Sequence, residues 1–231
     1  MITVNAQALV KMLDLYRVSS DVREFVRGVA IEPHGKKPGA ALVRTDGHSI
    51  AVWHDDSAEL NHSVLLLKNA KLMPHLRRWA KKPDNRVVIL PAEGKVGLLD
   101  PHGKDRTPVD KIFVPDLLLA SNKLLLGWRS LFAPAITSTA IKNDFAYEAG
   151  FVTRARALVG ATAANTVQTN AHGQQILIIG AKESPALAML MPAQAEITHT
   201  RSGYMLGPDI PVAKKQDVAA IQENIKAICA L

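Results

Sequence analysis

The chain has 231 residues, 48% of them hydrophobic, with one cysteine and a formal net charge of +7. That composition supports a sizeable core and excludes an internal disulfide or a multi-cysteine zinc site. The basic excess favours an anionic partner, nucleic acid first among them.

No apolar run reaches the roughly 18 residues that span a bilayer. The start, MITVNAQALVKML, lacks the pattern of a secretory signal. A cytoplasmic protein without membrane contact is expected.

The elements repeat along the chain. ITVN reads as a strand, and AQALVKMLDLY as a helix with Leu9, Met12, Leu13 and Tyr16 on one face. EFVRGVAIEP, AALVRT and SIAVWH read as strands, the last two joined by an Asp46-Gly47 turn. The order strand, helix, three strands then restarts. HSVLLLK is a strand, and NAKLMPHLRRWAKK a helix with an apolar stripe of Leu72, Met73, Leu76 and Trp79. Pro74 is tolerated in its first turn. RVVILPA, KVGLLD and VDKIFVP are the strands that follow. Residues 62–115 therefore repeat the order of residues 2–54.

After a connecting stretch with a helix expected around Asn122 to Phe132, a third copy runs through DFAYEAGF, VTRARALVGAT, NTVQTN, QQILIIGA and ALAMLMPA. The C-terminal AKKQDVAAIQENIKAICAL is an amphipathic helix with Val218, Ile221, Ile225 and Ile228 in its stripe. The fold class is α+β, built from repeated β-α-β-β-β units.

The stretch ALVRTDGHSIAVWHDD, residues 41–56, gathers Asp46, His48, His54, Asp55 and Asp56. These are metal-ligand types. No third ligand follows at a recognisable spacing, and no P-loop, H-E-x-x-H or G-x-S-x-G is present. No catalytic residue, metal or cofactor is assigned, and His54-Asp55-Asp56 reads as a solvated strand end.

Thr45-Asp46-Gly47-His48-Ser49-Ile50-Ala51 resembles the T-D-G-H-R-L-A signature in the middle domain of the bacterial DNA polymerase III β sliding clamp. The flanking DVREFVRGVAIE, HSVLLLKNAKLMPHLRRW and FVPDLLL are similar to clamp segments in the same order. YEAGFVTRARALVGA and ALAMLMPA resemble the last helix and strand of the clamp's third domain. The resemblance covers about four-fifths of the chain. It implies a clamp-type domain at 1–117, a truncated second clamp-type domain at 118–212 and an extra C-terminal helix at 213–231. A first clamp domain has no counterpart. This looks like a reduced relative of the kind a phage or prophage would carry.

The resemblance implies a non-enzymatic DNA clamp relative that contacts duplex DNA without sequence preference and tethers a replication or repair partner. It implies a homo-oligomer, because one short chain cannot encircle DNA. The alternative is a clamp-fold interaction or regulatory module that does not encircle DNA. The matching positions for a hydrophobic pocket that takes short linear peptides of polymerases or other DNA-processing proteins are Val26, Thr45, Gly47, His48, Ser49, Ile50, Pro115, Leu119 and Met191. Ser49 replaces the family's arginine and removes a donor fork.

Clamp helices present cations to DNA. Lys71, His75, Arg78 and Lys82, spaced four, three and four apart, fall on one face of the second helix, and Arg77 and Lys81 widen it. Lys11 and Arg17 on the first helix, with Asp14 interrupting, and Arg154 and Arg156 on the third complete the DNA-binding set.

Overall fold

The computed structural model describes all residues except 17–23, 100–107, 114–116, 120–126, 135, 137–144, 171, 195–203, 207–214 and 231. The chain divides into two compact units, Met1–Asp46 with Trp53–Leu126, and Gly47–Val52 with Gly127–Leu231.

The first unit contains two copies of the repeat. The first is β1 (Ile2–Asn5), α1 (Ala6–Asp14), a short α2 (Glu24–Arg27), β2 (Gly28–Pro33), β3 (Ala40–Thr45) and the end of β4 (Ser49–Asp55), from Trp53 on. The second is β5 (Val64–Leu67), α3 (Met73–Trp79), β6 (Arg86–Leu90), β7 (Lys95–Leu99) and β8 (Pro108–Phe113), followed by β9 (Leu117–Leu119).

Each copy lends its first strand to the other. β1 pairs with β6, extending β6–β7–β8, while β5 pairs with β2 beside β3. Neither copy can complete its sheet alone, so the two fold as one unit. The register Ile2↔Ile89 and Val4↔Val87 puts buried aliphatic residues side by side.

α1 starts because Asn5 caps it. The Asn5 Oδ1 accepts from the Ala8 N–H over 3.0 Å. Leu9, Met12 and Leu13 are then buried, as the 3.6-residue spacing predicts. α1 packs against α3 and against β1, β2 and β3.

At the tip of the β2–β3 hairpin, Gly39 has φ +97°, and an added Cβ would lie 2.1 Å from the Asp55 carbonyl oxygen. The approach of two backbones requires glycine there.

Among the described residues the second unit holds one copy: β10 (Phe145–Glu148), α5 (Ala149–Val159), β11 (Ala164–Thr169), β12 (Gln175–Gly180) and β13 (Ala186–Leu190). The β4 residues Ser49–Val52 lie next to β13. β10 pairs with β14 (Ala193–Gln194) and β15 (Tyr204–Leu206). A short α4 (Trp128–Phe132) and the C-terminal α6 (Lys215–Cys229) complete the unit.

Both α5 and α6 touch β12 and β13. Those strands are buried at every residue. The C-terminal helix α6 meets them where β12 ends: a Cβ added at Gly180 would lie 3.1 Å from Ile221 Cγ2. Ile221, Ile225 and Ile228 of the expected stripe are buried, with Cys229, while Val218 is half-buried. Asn224 Nδ2 fastens the helix by donating to the Ala181 carbonyl at 2.6 Å and the Ser184 carbonyl at 3.0 Å.

Candidate nucleic-acid interface

The second helix is shorter than its periodicity suggests. Asn69 opens the segment with an Asx turn, its Oδ1 accepting from the N–H groups of Lys71 and Leu72. The helix proper covers Met73–Trp79 with Pro74 in its first turn. It ends because Asn85 Nδ2 takes the Trp79 carbonyl at 2.8 Å, and the Lys81 and Lys82 N–H groups reach back only three residues. Lys71 and Lys82 therefore lie in flanking turns, and Lys71, His75, Arg78 and Lys82 do not form one continuous helical row.

The segment is nonetheless one-sided. Leu72, Met73, Leu76 and Trp79 are buried, whereas Lys71, Arg77, Arg78, Lys81 and Lys82 are exposed. Residues 69–82 contain no Asp or Glu. His75 is half-buried, its ring tilted against Trp79 at 6.1 Å. Lys11 on the neighbouring α1 is exposed, its Nζ 5.1 Å from the Trp53 ring centroid.

Asp14 ties the two helices together. It accepts from Arg77 Nη2 at 2.9 Å and Nε at 3.2 Å, and pairs with Lys68 Nζ at 3.2 Å. Partial burial works to raise its pKa, but the hydrogen bonds and charges of Arg77 and Lys68 outweigh this and hold it below the usual 3.8. The sequence reading took Asp14 for an interruption. Its partners lie far along the chain, and no local spacing signals them.

Of the remaining cations, Arg17 lies outside the described residues. Arg154 and Arg156 are half-buried on α5 in the second unit, Arg154 paired with Glu148 at 3.4 Å.

Among the peptide-pocket positions, Gly47, His48, Ser49, Ile50 and Met191 belong to the second unit. The Met191 N–H donates to the His48 carbonyl over 2.9 Å. Met191 is 47% exposed, an unusual setting for a large apolar side chain, while Ser49 and Ile50 are buried. Gly47 takes φ +92°, which the tight turn after β3 requires. Val26 is buried in the first unit, Thr45 ends β3 there, and Leu119 pairs with Val64. Pro115 lies outside the described residues.

The acid–base question in residues 41–56 has a structural answer. Asp55 is not a solvated strand end: it is 4% exposed and accepts from the Asn5 N–H, the Ser57 N–H and the Ser57 hydroxyl. His54 Nε2 bonds the Pro38 carbonyl at 3.1 Å, and its ring lies 4.2 Å from that of His34. These groups hold the β2–β3 tip and the end of β4.

The chain is similar to bacterial sliding clamps. The Helicobacter pylori beta clamp, in a structure bound to a DNA ligase peptide, shares 12% identity at a TM-score of 0.48, over 84% of this chain and 66% of its own. The Thermotoga maritima DNA polymerase III beta subunit shares 12% at 0.47, over 83% of this chain and 65% of its own. A Pseudomonas aeruginosa DNA polymerase sliding clamp shares 11% at 0.47, over 83% and 66%. The chain thus spans just under two thirds of the length of these proteins. No family model matches the chain, and no curated protein sequence is similar to it. Among the described residues, no helix is long and apolar enough to cross a membrane.

Proposed function

We propose that this protein is a non-enzymatic, clamp-type DNA-tethering protein of the cytoplasm that holds duplex DNA through the α1–α3 face. The observation that carries the reading is the acid-free segment 69–82, with five exposed cations beside an α1 that adds Lys11. A cationic face without an aromatic stacking platform suits phosphates. Such contacts position DNA without reading its sequence. The TDGH resemblance supports the same reading.

In this account the turn at Gly47–Ile50, with Met191, takes an apolar anchor of a short peptide from a polymerase or another DNA-processing protein. An exposed methionine beside a fixed backbone is a suitable contact for such a side chain. The partner's effective concentration at DNA then rises by tethering. Copies of the chain assemble head to tail to enclose the duplex.

The experiment is anisotropy of two labelled duplexes of unrelated sequence across a salt series. Equal affinity for both, falling steeply with salt, is expected. No binding, or a marked preference for one sequence, removes the reading. A second reading, an interaction module that does not encircle DNA, is favoured by the one repeat copy among the described residues of the second unit, whose β10 pairs with β14 and β15. Molar mass in solution and on nicked circular DNA separates the two.

A further inference from the structure

We infer that Asp14 is a brake on the DNA-contacting face, set to weaken its grip on phosphate; the inference rests on the duplex-binding reading above. Asp14 is the only acid in α1, and the segment 69–82 has none. It is not a stray surface charge. Its carboxylate engages the guanidinium of Arg77 through two donors, Nε and Nη2, and also meets Lys68. Arg77 is 58% exposed at its side chain, so its remaining donors still face solvent.

The geometry has an electrostatic consequence. A carboxylate about 3 Å from the guanidinium cancels most of its field at a phosphate several ångströms further out. It also occupies the two-donor edge that would otherwise match a phosphate. The cluster of Asp14, Lys68 and Arg77 therefore offers one net positive charge where its cations alone would offer two. A face that must retain duplex while letting it move gains from contacts that exchange quickly, and a resident carboxylate competing for Arg77 supplies that exchange.

The test compares wild type with Asp14→Asn, binding a fluorescein-labelled mixed-sequence duplex across a salt series. The isosteric amide removes the charge and keeps the volume. The variant is expected to bind at least about threefold more tightly at low salt, with a log–log salt slope steeper by roughly one phosphate contact. A purely structural role for Asp14 would not steepen that slope. Arg77→Gln in both backgrounds guards against a loosened helix pair: its cost in affinity should be small in wild type and larger beside Asp14→Asn. Wild-type binding with an unchanged or shallower slope in Asp14→Asn, or an equal cost of Arg77→Gln in both backgrounds, overturns the brake. If neither protein binds duplex at any salt, the duplex-binding reading itself falls, and the brake with it.

Discussion

Arg44 Nη1 donates to the carbonyl of Leu13 over 2.7 Å, tying β3 to the last turn of α1. The Arg44 side chain is buried, over the ring of Tyr16, and among the described residues its Nε and Nη2 have no hydrogen-bond partner. Burial pushes its pKa down to about 10, against the attraction of Tyr16, Asp14 and Asp46. The guanidinium satisfies one helix-end carbonyl and fills a large volume.

Substitution should separate those two roles. Arg44→Ala leaves a cavity and an unpaired Leu13 carbonyl and is expected to cost about 2–4 kcal/mol. Arg44→Met refills most of the volume and buries no charge, so its cost should be under half of that. Urea unfolding of the three proteins measures both. An Arg44→Ala variant as stable as wild type would contradict the packing role.

Asp14 carries a pH signature. Its carboxyl titrates lower in the folded chain than the usual 3.8. Its contribution is therefore complete above that value and disappears as pH falls through the lower folded value. With a side chain 35% exposed, the contribution is about 0.5 kcal/mol, the scale of a solvent-screened pair. The stability gap between wild type and Asp14→Asn should be present at neutral pH and shrink as pH falls below 3.8. A gap that widens in acid would reverse the sign of the argument.

Cys229 is fully buried, and burial lifts its thiol from 9.0 to about 12, Arg129 pulling weakly the other way. The native protein should resist a thiol reagent at pH 8 and expose one reactive thiol in denaturant. The unfolded chain ionises this thiol first, so stability should decline as pH rises from about 9 to 12. That decline should be smaller in Cys229→Ala. Rapid labelling of the native protein would show that α6 opens easily.

Removing α6 tests its covering role. Truncation after Pro211 uncovers the strands beneath Ile221, Ile225 and Ile228, each contributing about 1.5–3 kcal/mol by burial. The sum is comparable with the total stability of a typical domain. Aggregation, or a melting temperature lower by at least about 10 °C, is expected. A soluble variant melting with wild type would refute it.

The repeat order was legible because helix and strand periods differ, and every copy shows both. The α6 stripe was legible for the same reason: three isoleucines recur at three- and four-residue spacing. Helix α3 was overdrawn at both ends. Its limits come from side chains of Asn69 and Asn85 acting on the backbone, and hydrophobic spacing does not register caps. Asp55 was misread as solvated because its partner Asn5 is 50 residues away. The pairs Asp14–Arg77 and Arg44–Leu13 span 63 and 31 residues. Asp14–Arg77 joins the two copies, whereas Arg44–Leu13 and Asp55–Asn5 lie within the first; all three form only when distant segments pack, so no short window of sequence contains them.

The central claim is that the α1–α3 face holds duplex DNA, and charge reversal tests it most directly. Lys71, Arg78 and Lys82, all exposed, are changed together to Glu, and binding of a labelled duplex is followed by anisotropy. Wild type should bind at low salt and lose about a hundredfold in affinity between about 50 and 200 mM salt, as contact with roughly four phosphates requires. The triple variant, melting like wild type, should show no binding at the lowest salt. Undiminished binding by that variant would contradict the account.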